Sequence, residues 1–328
     1  MTATIKDVAA LAKVSFSAVS AVLAGRHVRV RPETRQRILQ AAQELHYEPS
    51  NVGRSLRSGR SHLVACLAHR YDLELLLDAL AGAEETLQQN GYCLMLLNYR
   101  DTADFDRRLT EIRRQRVDGV IFTMLRDSDL RQRAALFARE VPVVSLFTSC
   151  PELPSSVYVD GVTLVRQGFK YLLGLGHRCI ALTGERPHAL ETARAIFQEN
   201  GLPLGNLHYW PELKHFDAGD DILRRYREST PRPTAVFCYS DETAAGLLRA
   251  AASAGILIPQ ELSVMGVNND RIASMLSPGL TTMAQPHHGQ GEAAAEMLLQ
   301  LMDGHAVPPE TVLQPELLLR GSCSIPPT

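Results

Sequence analysis

Long apolar runs are absent from this sequence, and no stretch approaches the ~20 consecutive apolar residues that a membrane-spanning helix requires. The opening residues, MTATIKDVAALAKV, form an amphipathic pattern without the apolar core or the cleavage site of a secretory signal peptide. The hydrophobic fraction of 45% and the net charge of −2 over 328 residues are typical of a folded globular protein. We therefore expect a cytoplasmic protein that has no contact with a membrane.

Cysteine is scarce and scattered. The six cysteines include no C-x-x-C pair, and four of them, Cys66, Cys93, Cys179 and Cys238, lie inside apolar, strand-like runs. Zinc sites and redox pairs need cysteines at short spacing, so we predict buried free thiols in a reducing compartment. The adjacent pair His287-His288 does not make a metal site by itself, and we expect neither a metal nor a cofactor.

Catalytic signatures are missing as well. The sequence has no G-x-S-x-G, no G-x-x-x-x-G-K-[ST], no H-E-x-x-H, and no G-x-G-x-x-G after a predicted strand. Gly174 and Gly176 lie at the predicted end of a helix, where glycine commonly serves as a cap. We therefore predict that the protein is not an enzyme.

The nearly neutral total charge conceals two oppositely charged parts. Residues 1–60 carry ten Lys or Arg and four acidic residues, a net charge of +6. The remainder carries 24 basic and 32 acidic residues, a net charge of −8. A basic segment joined to an acidic body favours a module that binds a polyanion, although charge alone does not exclude a merely basic surface.

Three short helical patterns follow one another in the basic segment. Thr4 with Asp7 three residues later forms a capping box that predicts the first helix. Ser15 can cap a second helix over residues 16–24, and Pro32 suits the first position of a third. The apolar residues that recur at helical spacing are Ile5, Val8, Ala9, Ala12, Val19, Val22, Leu23, Ile38, Ala41, Ala42 and Leu45. Two short helices, a tight turn and a closing helix predict a helix-turn-helix.

From Leu63 onward, short apolar runs alternate with helix-length amphipathic segments. The strand candidates are residues 63–67, 92–98, 119–123, 142–147, 157–160, 179–183, 235–239 and 263–267. The helix candidates are residues 73–89, 104–115, 130–139, 164–173, 190–200, 219–228, 242–254 and 289–303. This alternation predicts parallel sheets covered by helices, an α/β class. Since about 265 residues is large for one sheet, two Rossmann-like lobes are expected.

Motifs that match one family in order extend from the head into the body. In the head they are Thr4-Ile5-Lys6-Asp7-Val8-Ala9, Val14-Ser15, Pro32-Glu33-Thr34-Arg35, Tyr47-Glu48-Pro49 and Arg54-Ser55-Leu56-Arg57. In the body they are Leu175-Gly176-His177-Arg178, Ser240-Asp241-Glu242, Leu262-Ser263-Val264-Met265-Gly266 and Leu318-Leu319-Arg320-Gly321-Ser322. Over essentially the whole chain, the sequence resembles the lactose-repressor/galactose-repressor (LacI/GalR) family of bacterial transcription regulators.

The resemblance implies an organisation and a function. It implies a helix-turn-helix head at residues 1–49, a hinge at 50–60 and a periplasmic-binding-protein-like body at 61–328. Within the body, lobe one would comprise about 61–157 and 286–319, and lobe two about 158–285, with crossings near 157–160 and 285–287. Such a protein would act at the bacterial nucleoid as a homodimer, regulating transcription (as a repressor in most cases) from a near-palindromic operator.

The resemblance also implies how the head meets double-stranded DNA. The second helix would lie in the major groove, and Leu56 of the hinge would wedge into the minor groove at the operator centre. The residues that would contact DNA or support that contact are Thr4, Lys6, Ser15, Phe16, Ser17, Ser20, Ala21, Thr34, Asn51, Val52, Leu56 and Arg57. Ser15, Ser20 and Thr34 would bind phosphate, whereas Phe16, Ser17 and Ala21 would read bases.

Three positions of the head depart from the family pattern. Ala21 stands where many members have arginine, which can pair with guanine, so we expect a different base preference there. Gly53 replaces a usual alanine in the hinge and costs ~1 kcal/mol of helix propensity. Arg31 stands where a Ser or Thr cap commonly precedes Pro-Glu-Thr.

An effector cleft between the lobes is implied too, with several positions changed. Asn268 stands where the family usually has Asp, and Ser240 where Asn is common. The candidate effector-binding residues are Tyr71, Asp160, Arg194, Phe216, Ser240 and Asn268. One interpretation is a small sugar-like or other metabolite that controls the hinge through lobe closure. The other is a degenerate cleft, with control by a protein partner or by abundance; a solute-binding protein is a more remote alternative.

Overall fold

The structure, a computed structural model, describes residues 3–23, 30–47, 59–69 and 73–327, with the side chains of residues 73–75 excepted. The chain forms two compact units. The first comprises Met1–Leu63 with Ile112–Asp118, and the second comprises Val64–Glu111 with Gly119–Thr328. No described helix is both long enough and apolar enough to cross a membrane.

In the part of the first unit that the structure describes, the head forms three helices. They are α1 (Ile5–Ala12), α2 (Phe16–Leu23) and α3 (Pro32–Glu44), which confirms the predicted helix starts. The predicted last residue of the second helix, Ala24, lies outside the described residues. Val8, Val19 and Ile38, one from each helix, are fully buried at the centre of the head.

Local hydrogen bonds begin the head helices where the sequence places their caps. The Asp7 carboxylate accepts hydrogen bonds from the Thr4 backbone N–H (2.8 Å) and the Thr4 hydroxyl (2.7 Å). These two bonds hold the pKa of Asp7 below its ordinary value. At α2, the Ser15 hydroxyl accepts from the Ala18 N–H at 3.3 Å. The predicted capping box and the predicted Ser15 cap are therefore confirmed.

The first unit also includes residues 59–63, which lead into the first strand, and the separate segment Ile112–Asp118. The carboxylate of Asp118 accepts hydrogen bonds from the backbone N–H groups of Ser61 (3.0 Å) and His62 (2.7 Å). Because both bonds end on one carboxylate, they fix the segment that immediately precedes the first strand.

Two six-stranded sheets are formed by β1 (Leu63–His69) and the strands that follow it. The first has the order β11-β5-β4-β3-β1-β2, with β2 at Cys93–Tyr99, β3 at Gly119–Thr123, β4 at Val143–Leu146, β5 at Ser156–Val159 and β11 at Glu310–Leu313. The second has the order β12-β10-β9-β8-β6-β7, with β6 at Ile180–Thr183, β7 at Leu207–Trp210, β8 at Ala235–Cys238, β9 at Ser263–Asn268, β10 at Thr281–Ala284 and β12 at Glu316–Leu318. The β10–β12 pair is antiparallel, whereas β6 to β10 pair in parallel.

Helices cover both faces of each sheet. They are α4 (Leu73–Gln89), α5 (Thr102–Gln115), α6 (Ser128–Phe137), α7 (Gly161–Gly174), α8 (Pro187–Glu199), α9 (Gly219–Glu228), α10 (Asp241–Ser253), α11 (Arg271–Met275) and α12 (His287–Met302). On the first sheet, α4 and α12 pack so closely that a Cβ on Gly291 would lie 1.8 Å from the Ala79 carbonyl oxygen. The predicted α/β class with two Rossmann-like lobes is confirmed.

The chain passes between the sheets three times. It leaves the first sheet after Val159 and returns after Ala284, within the two segments where crossings are expected. A third crossing separates β11 from β12. Residues 316–318 were expected in lobe one but pair with β10 of the second sheet. Without them, β10 would be the edge strand, and its outer backbone N–H and C=O groups would have no strand to bind.

All eight strand candidates and all eight helix candidates correspond to observed elements, with ends shifted by a few residues. The elements that the sequence did not predict are β7, β10, β11, β12 and α11. Each has only three to five residues, and β7, β11 and β12 are edge strands without the fully buried apolar run that marks the equally short β4, β6 and β8. The unpredicted elements form because neighbouring strands and helices provide partners, so their signal is tertiary.

One cysteine differs from its prediction. Cys66, Cys179 and Cys238 are buried, but Cys93 is exposed, so the prediction for Cys93 was wrong. Cys93 begins β2, the edge strand of the first sheet, and most of this strand is only partly buried. An apolar run at a sheet edge is covered less completely than the same run in a central strand.

Candidate functional sites

The N-terminal end of α2 presents an exposed set of side chains. Ser15, Phe16 and Ser17 are all exposed, and 52% of Phe16 is accessible. The Ser15 and Ser17 hydroxyl oxygens lie 2.9 Å apart. An exposed phenylalanine beside two hydroxyls has no role in the core of the head, since that core is already filled from the other side of α2. This end of α2 is therefore a candidate contact surface.

The other predicted DNA contacts differ in exposure. Thr4 and Lys6 are exposed, and Ala21 and Thr34 are half-buried. Ser20 is 9% exposed, so most of its surface packs within the head. The remaining four, in the hinge, lie outside the described residues: Asn51, Val52, Leu56 and Arg57.

A second candidate site lies where the parallel strands of the second sheet end. In open parallel sheets, ligands bind at the carboxyl ends of the strands. Asp160 lies just before α7, where its carboxylate accepts hydrogen bonds from Val162 N–H (3.0 Å), Thr163 N–H (3.0 Å) and the Thr163 hydroxyl (2.6 Å). Partial burial alone would raise its pKa, but these bonds outweigh it and hold the pKa below its ordinary value.

Tyr239, directly after β8, is the centre of a polar cluster at this edge. Its hydroxyl lies 3.0 Å from Nε2 of His188, and the Arg186 guanidinium carbon lies 5.5 Å from its ring centroid. A Cβ on Gly161 would come within 2.5 Å of His188 Nε2 and 3.2 Å of the Tyr239 oxygen. Glycine at 161 therefore allows these two side chains to meet in front of α7.

Burial and nearby charges set the ionisation of this cluster. Burial raises the pKa of Tyr239 to about 12, although Arg186 and Arg126 both oppose the rise. Burial, followed by the charge of Arg186, lowers the pKa of His188, with Asp160 acting in the opposite direction. Burial therefore favours the uncharged forms of both Tyr239 and His188.

Two further predicted residues lie at the same edge of the sheet. The Ser240 hydroxyl caps α10 by accepting from the Thr243 N–H at 3.1 Å. Asn268 ends β9 with a φ of 108° and is 7% exposed. Its side-chain oxygen accepts from Gln285 Nε2 at 2.8 Å, which links the end of β9 to the chain that returns to the first sheet.

The remaining predicted effector residues lie apart from this cluster. Arg194 is exposed on α8, a helix that buries Ala189, Thr192 and Ala193 on its inner side. The Phe216 ring lies 5.7 Å from the guanidinium carbon of Arg249, nine residues beyond Ser240 along α10. Tyr71 lies outside the described residues. The structure therefore brings Asp160, Ser240 and Asn268 to the edge of the second sheet, but not Arg194 or Phe216.

Sequence reasoning missed Arg186, His188 and Tyr239. Their signal was weak because an arginine and a histidine two residues apart in a loop suggest no site until the neighbouring strand brings a tyrosine to them. The parallel pairing of β6 with β8 provides that neighbour, since Thr183 and Cys238 are paired at the ends of the two strands.

A buried carboxylate braces this edge from beneath. Asp241 is fully buried and accepts hydrogen bonds from the Thr282 hydroxyl (2.6 Å) and the Asp270 N–H (2.7 Å). Burial, together with the charge of Asp270, raises the pKa of Asp241 to about 7, against the opposing hydrogen bond from Thr282. Asp241 thereby joins α10 to β10 and to the loop after β9.

The first sheet has a cavity of about 300 Å³ at the corresponding strand ends. It lies at the ends of β1, β2 and β3, and its polar lining comprises His69, Tyr99, Arg100, Asp101, Thr102, Arg126 and Asp127. Arg126, which lines this cavity, also opposes the rise in the pKa of Tyr239 of the second sheet. Within the described ranges, no group of three or more His, Cys, Asp or Glu residues could hold a metal ion.

Comparison with known proteins identifies similar sequences along most of the chain. Residues 4–50 match the family described as bacterial regulatory proteins, lacI family, and residues 169–323 match a periplasmic binding protein-like domain. The ribose operon repressor of Haemophilus influenzae is 32% identical over 331 residues, which cover 98% of each chain.

Solved structures show the same fold. The lac repressor dimer bound to operator and an anti-inducer matches with a TM-score of 0.87 at 24% identity, covering 99% of this chain and 100% of that one. A LacI family transcriptional regulator from Enterococcus faecium with bound ribose has a TM-score of 0.69 at 25% identity, covering 80% and 99% of the two chains.

Proposed function

The chain belongs to the LacI family of bacterial regulatory proteins, and we propose that it is a sequence-specific transcription repressor that binds operator DNA as a homodimer. The observation that carries this proposal is the 32% identity to a ribose operon repressor over 98% of both chains. Its relatives are transcriptional repressors rather than enzymes, and we propose no catalytic activity. It would act on the bacterial nucleoid, in the cytoplasm.

In this proposal, α2 enters the major groove with its N-terminal end first. The exposed Phe16 and Ser17 would contact base edges, with Ala21 one helical turn further along. Ser15, Thr4 and Lys6, which are also exposed, would bind phosphates and set the register of the head on the duplex. The hinge residue Leu56 would wedge into the minor groove, supported by Asn51, Val52 and Arg57.

Dimerisation gives the selectivity that one small head lacks. A single α2 reaches only a few base pairs, whereas two heads related by a two-fold axis read both halves of a near-palindromic operator. The lac repressor in the matching structure binds its operator as a dimer.

A small molecule at the two facing strand edges would control the heads. A ligand that contacts both lobes binds the closed arrangement better than the open one and so shifts the equilibrium between them. The residues at these edges that support this role are Asp160, Ser240, Asn268, His188 and Tyr239. The Enterococcus faecium regulator of the same fold carries bound ribose.

Genome-wide mapping of bound sites, followed by binding assays on the recovered sequence, tests the proposal. We expect one enriched inverted repeat, with an affinity that falls steeply as salt increases. Phe16→Ala should weaken binding to this repeat at least tenfold but leave binding to unrelated DNA unchanged, because Phe16 would contact bases. Leu39→Ala on the exposed face of α3 is the matched control. Absence of any enriched inverted repeat would contradict the proposal.

A further inference from the structure

Basic side chains from both lobes converge on Tyr239. From the second lobe, the Arg186 guanidinium lies over its ring, and His188 Nε2 lies 3.0 Å from its hydroxyl. From the first lobe, Arg126 lines the 300 Å³ cavity and acts on the same hydroxyl. Two nitrogen-bearing groups of the second lobe thus contact Tyr239, and a third, from the first lobe, affects it electrostatically.

Among the described residues, three carboxylates near these strand ends cap helices. Asp160 uses both oxygens to cap α7. In the first lobe, Asp101 accepts from the Asp104 N–H at 2.8 Å, and Asp127 accepts from the Asp129 N–H at 2.8 Å. Each of these three acids therefore stabilises the start of a helix, where the helix dipole favours a negative charge.

The two arginines that line the 300 Å³ cavity, Arg126 and Arg100, differ in their partners. One of the guanidinium nitrogens of Arg126 donates to the Met124 sulfur at 3.2 Å, and a thioether is a weak acceptor. Across the ranges that the structure covers, no carboxylate lies within the 4.0 Å of an ion pair with Arg126. By contrast, Arg100 in the same cavity donates to Asp104. The charge of Arg126 is thus available for a ligand.

We propose that the ligand of this cleft is a phosphorylated small metabolite, a phosphate monoester whose oxygens bind Arg126 of the first lobe together with Arg186 and His188 of the second. Guanidinium groups form paired hydrogen bonds with phosphate oxygens, and a protonated imidazole can donate a further hydrogen bond. The inference rests on the proposed function, because it assigns the chemical class of the proposed controlling ligand.

The same arrangement explains how such a ligand would act on the lobes. An anion held by arginines of both lobes gains its full interaction energy only when both are in reach, so it favours lobe closure. A neutral sugar would lack this bridging charge. Asn268, which is the uncharged amide at the end of β9, adds no repulsion for an anion.

The proposal has a signature in pH. In the free protein, the pKa of His188 is lowered by burial and by Arg186, whereas Asp160 and Glu191 act to raise it, and Tyr239 hydrogen-bonds to its ring. A phosphate beside the imidazole favours the protonated ring. Binding of a phosphate ester should therefore take up a proton and should tighten from pH 8 to pH 6 more in the native protein than in His188→Gln.

Calorimetry on the full-length protein without DNA tests the proposal, with inorganic phosphate and a panel of sugar phosphates matched to their parent sugars. Ribose and ribose 5-phosphate form the first pair, because a relative is a ribose operon repressor. We expect saturable binding of inorganic phosphate, and at least one ester that binds tenfold or more tightly than its parent sugar. Arg126→Gln and Arg186→Gln, one in each lobe, should each weaken the ester at least tenfold.

Arg166→Gln is the matched control, since Arg166 is exposed on α7 and paired with Glu199. Absence of saturable phosphate and ester binding, equal affinity for a neutral parent sugar, or an unchanged affinity in Arg126→Gln would overturn the inference. Operator binding is measured on the same preparations. If the protein binds the ester but not the operator, the proposed function alone is contradicted. If it binds the operator but none of the ligands, the inference is overturned and the degenerate cleft is favoured.

Discussion

The head and the body are built from contacts of different sequence separation. In the head, the fully buried residues Val8, Val19 and Ile38 come from three helices within forty residues. In the body, the second-lobe cluster joins residues from the starts of α7 and α8 to the end of β8. The body also contains contacts between residues that are further apart in the sequence, since α4 packs on α12, more than 200 residues later.

This difference determines where each site can vary. The exposed residues of α2 can be substituted one at a time without altering the core, because its exposed and buried residues lie on opposite sides of one helix. The ligand cluster depends on several elements at once, and a change at Gly161 would displace His188 and Tyr239 together. We therefore expect the two regions to respond independently to substitution.

The largest expected effect is from Ile38→Ala in the head. Ile38 is fully buried, and the cavity should cost ~2–5 kcal/mol, enough to unfold a small three-helix core. Specific DNA binding should be lost. The single tryptophan, Trp210, is buried in the second lobe, so urea unfolding followed by its fluorescence should be unchanged.

Leu39→Ala, at a position that is 49% exposed, is the control for Ile38→Ala. A parallel shift of the head transition, followed by circular dichroism, and of the Trp210 transition would show that the two regions unfold as one. That result would break the comparison.

The next effect is expected from Gly291→Val in the body. Its Cβ would lie 1.8 Å from the Ala79 carbonyl oxygen, so α4 and α12 must separate, at a cost of ~2–3 kcal/mol. Urea unfolding of the body should have its midpoint at a lower urea concentration, whereas the unfolding transition of the head should be unchanged. Gly174→Ala is the control, since nothing lies within 4 Å of its Cβ; equal midpoints for the two variants would contradict the packing argument.

A smaller, pH-dependent effect is expected from Thr282→Val. The folded-state pKa of Asp241 is raised to about 7, so its neutral form is favoured in the fold. The stability that this provides is fully present below the ordinary carboxyl pKa and is lost as pH rises towards 7. Body stability should therefore fall between pH 5 and pH 8.

Removal of the Thr282 hydroxyl takes away a hydrogen-bond donor to the charged Asp241 carboxylate, which should lower the free energy of unfolding by ~1–2 kcal/mol. The loss should be greater at pH 8 than at pH 5, as measured by urea unfolding at the two values. An equal loss at both would indicate that Asp241 does not change ionisation. Thr311→Val, at a partly buried strand position of the first lobe, is the control.

The smallest effect is expected from Ala21→Arg, which should change base choice without changing stability. Arginine at this half-buried position of α2 can pair with guanine, worth ~1–3 kcal/mol of discrimination at one symmetric operator position. Selection of binding sites from a random pool measures it. An unchanged profile would mean that position 21 does not contact a base, and altered ligand binding would contradict the independence of the two regions.

The sequence by itself determined the local structure of this protein. Local signals predict the position of each element to within a few residues, because caps and periodicity act over one or two turns. Examples are the Thr4–Asp7 capping box, Pro32 at the start of α3 and the alternation of strands and helices. The family motifs then indicated the head and the body. The family resemblance offered Asp160, Ser240 and Asn268 as effector-site candidates, and in the structure they lie at strand ends or helix starts.

Only the tertiary structure decided which side chains meet. Arg194 is exposed on α8 and the Phe216 ring lies 5.7 Å from the Arg249 guanidinium carbon, whereas Arg186, His188 and Tyr239 form the cluster. Their meeting depends on the order of the strands, with β6 beside β8, and on the space that glycine leaves at 161. Such neighbours are far apart in the chain, so no local pattern encodes their contact; the pairing of strands and the packing around Gly161 bring them together.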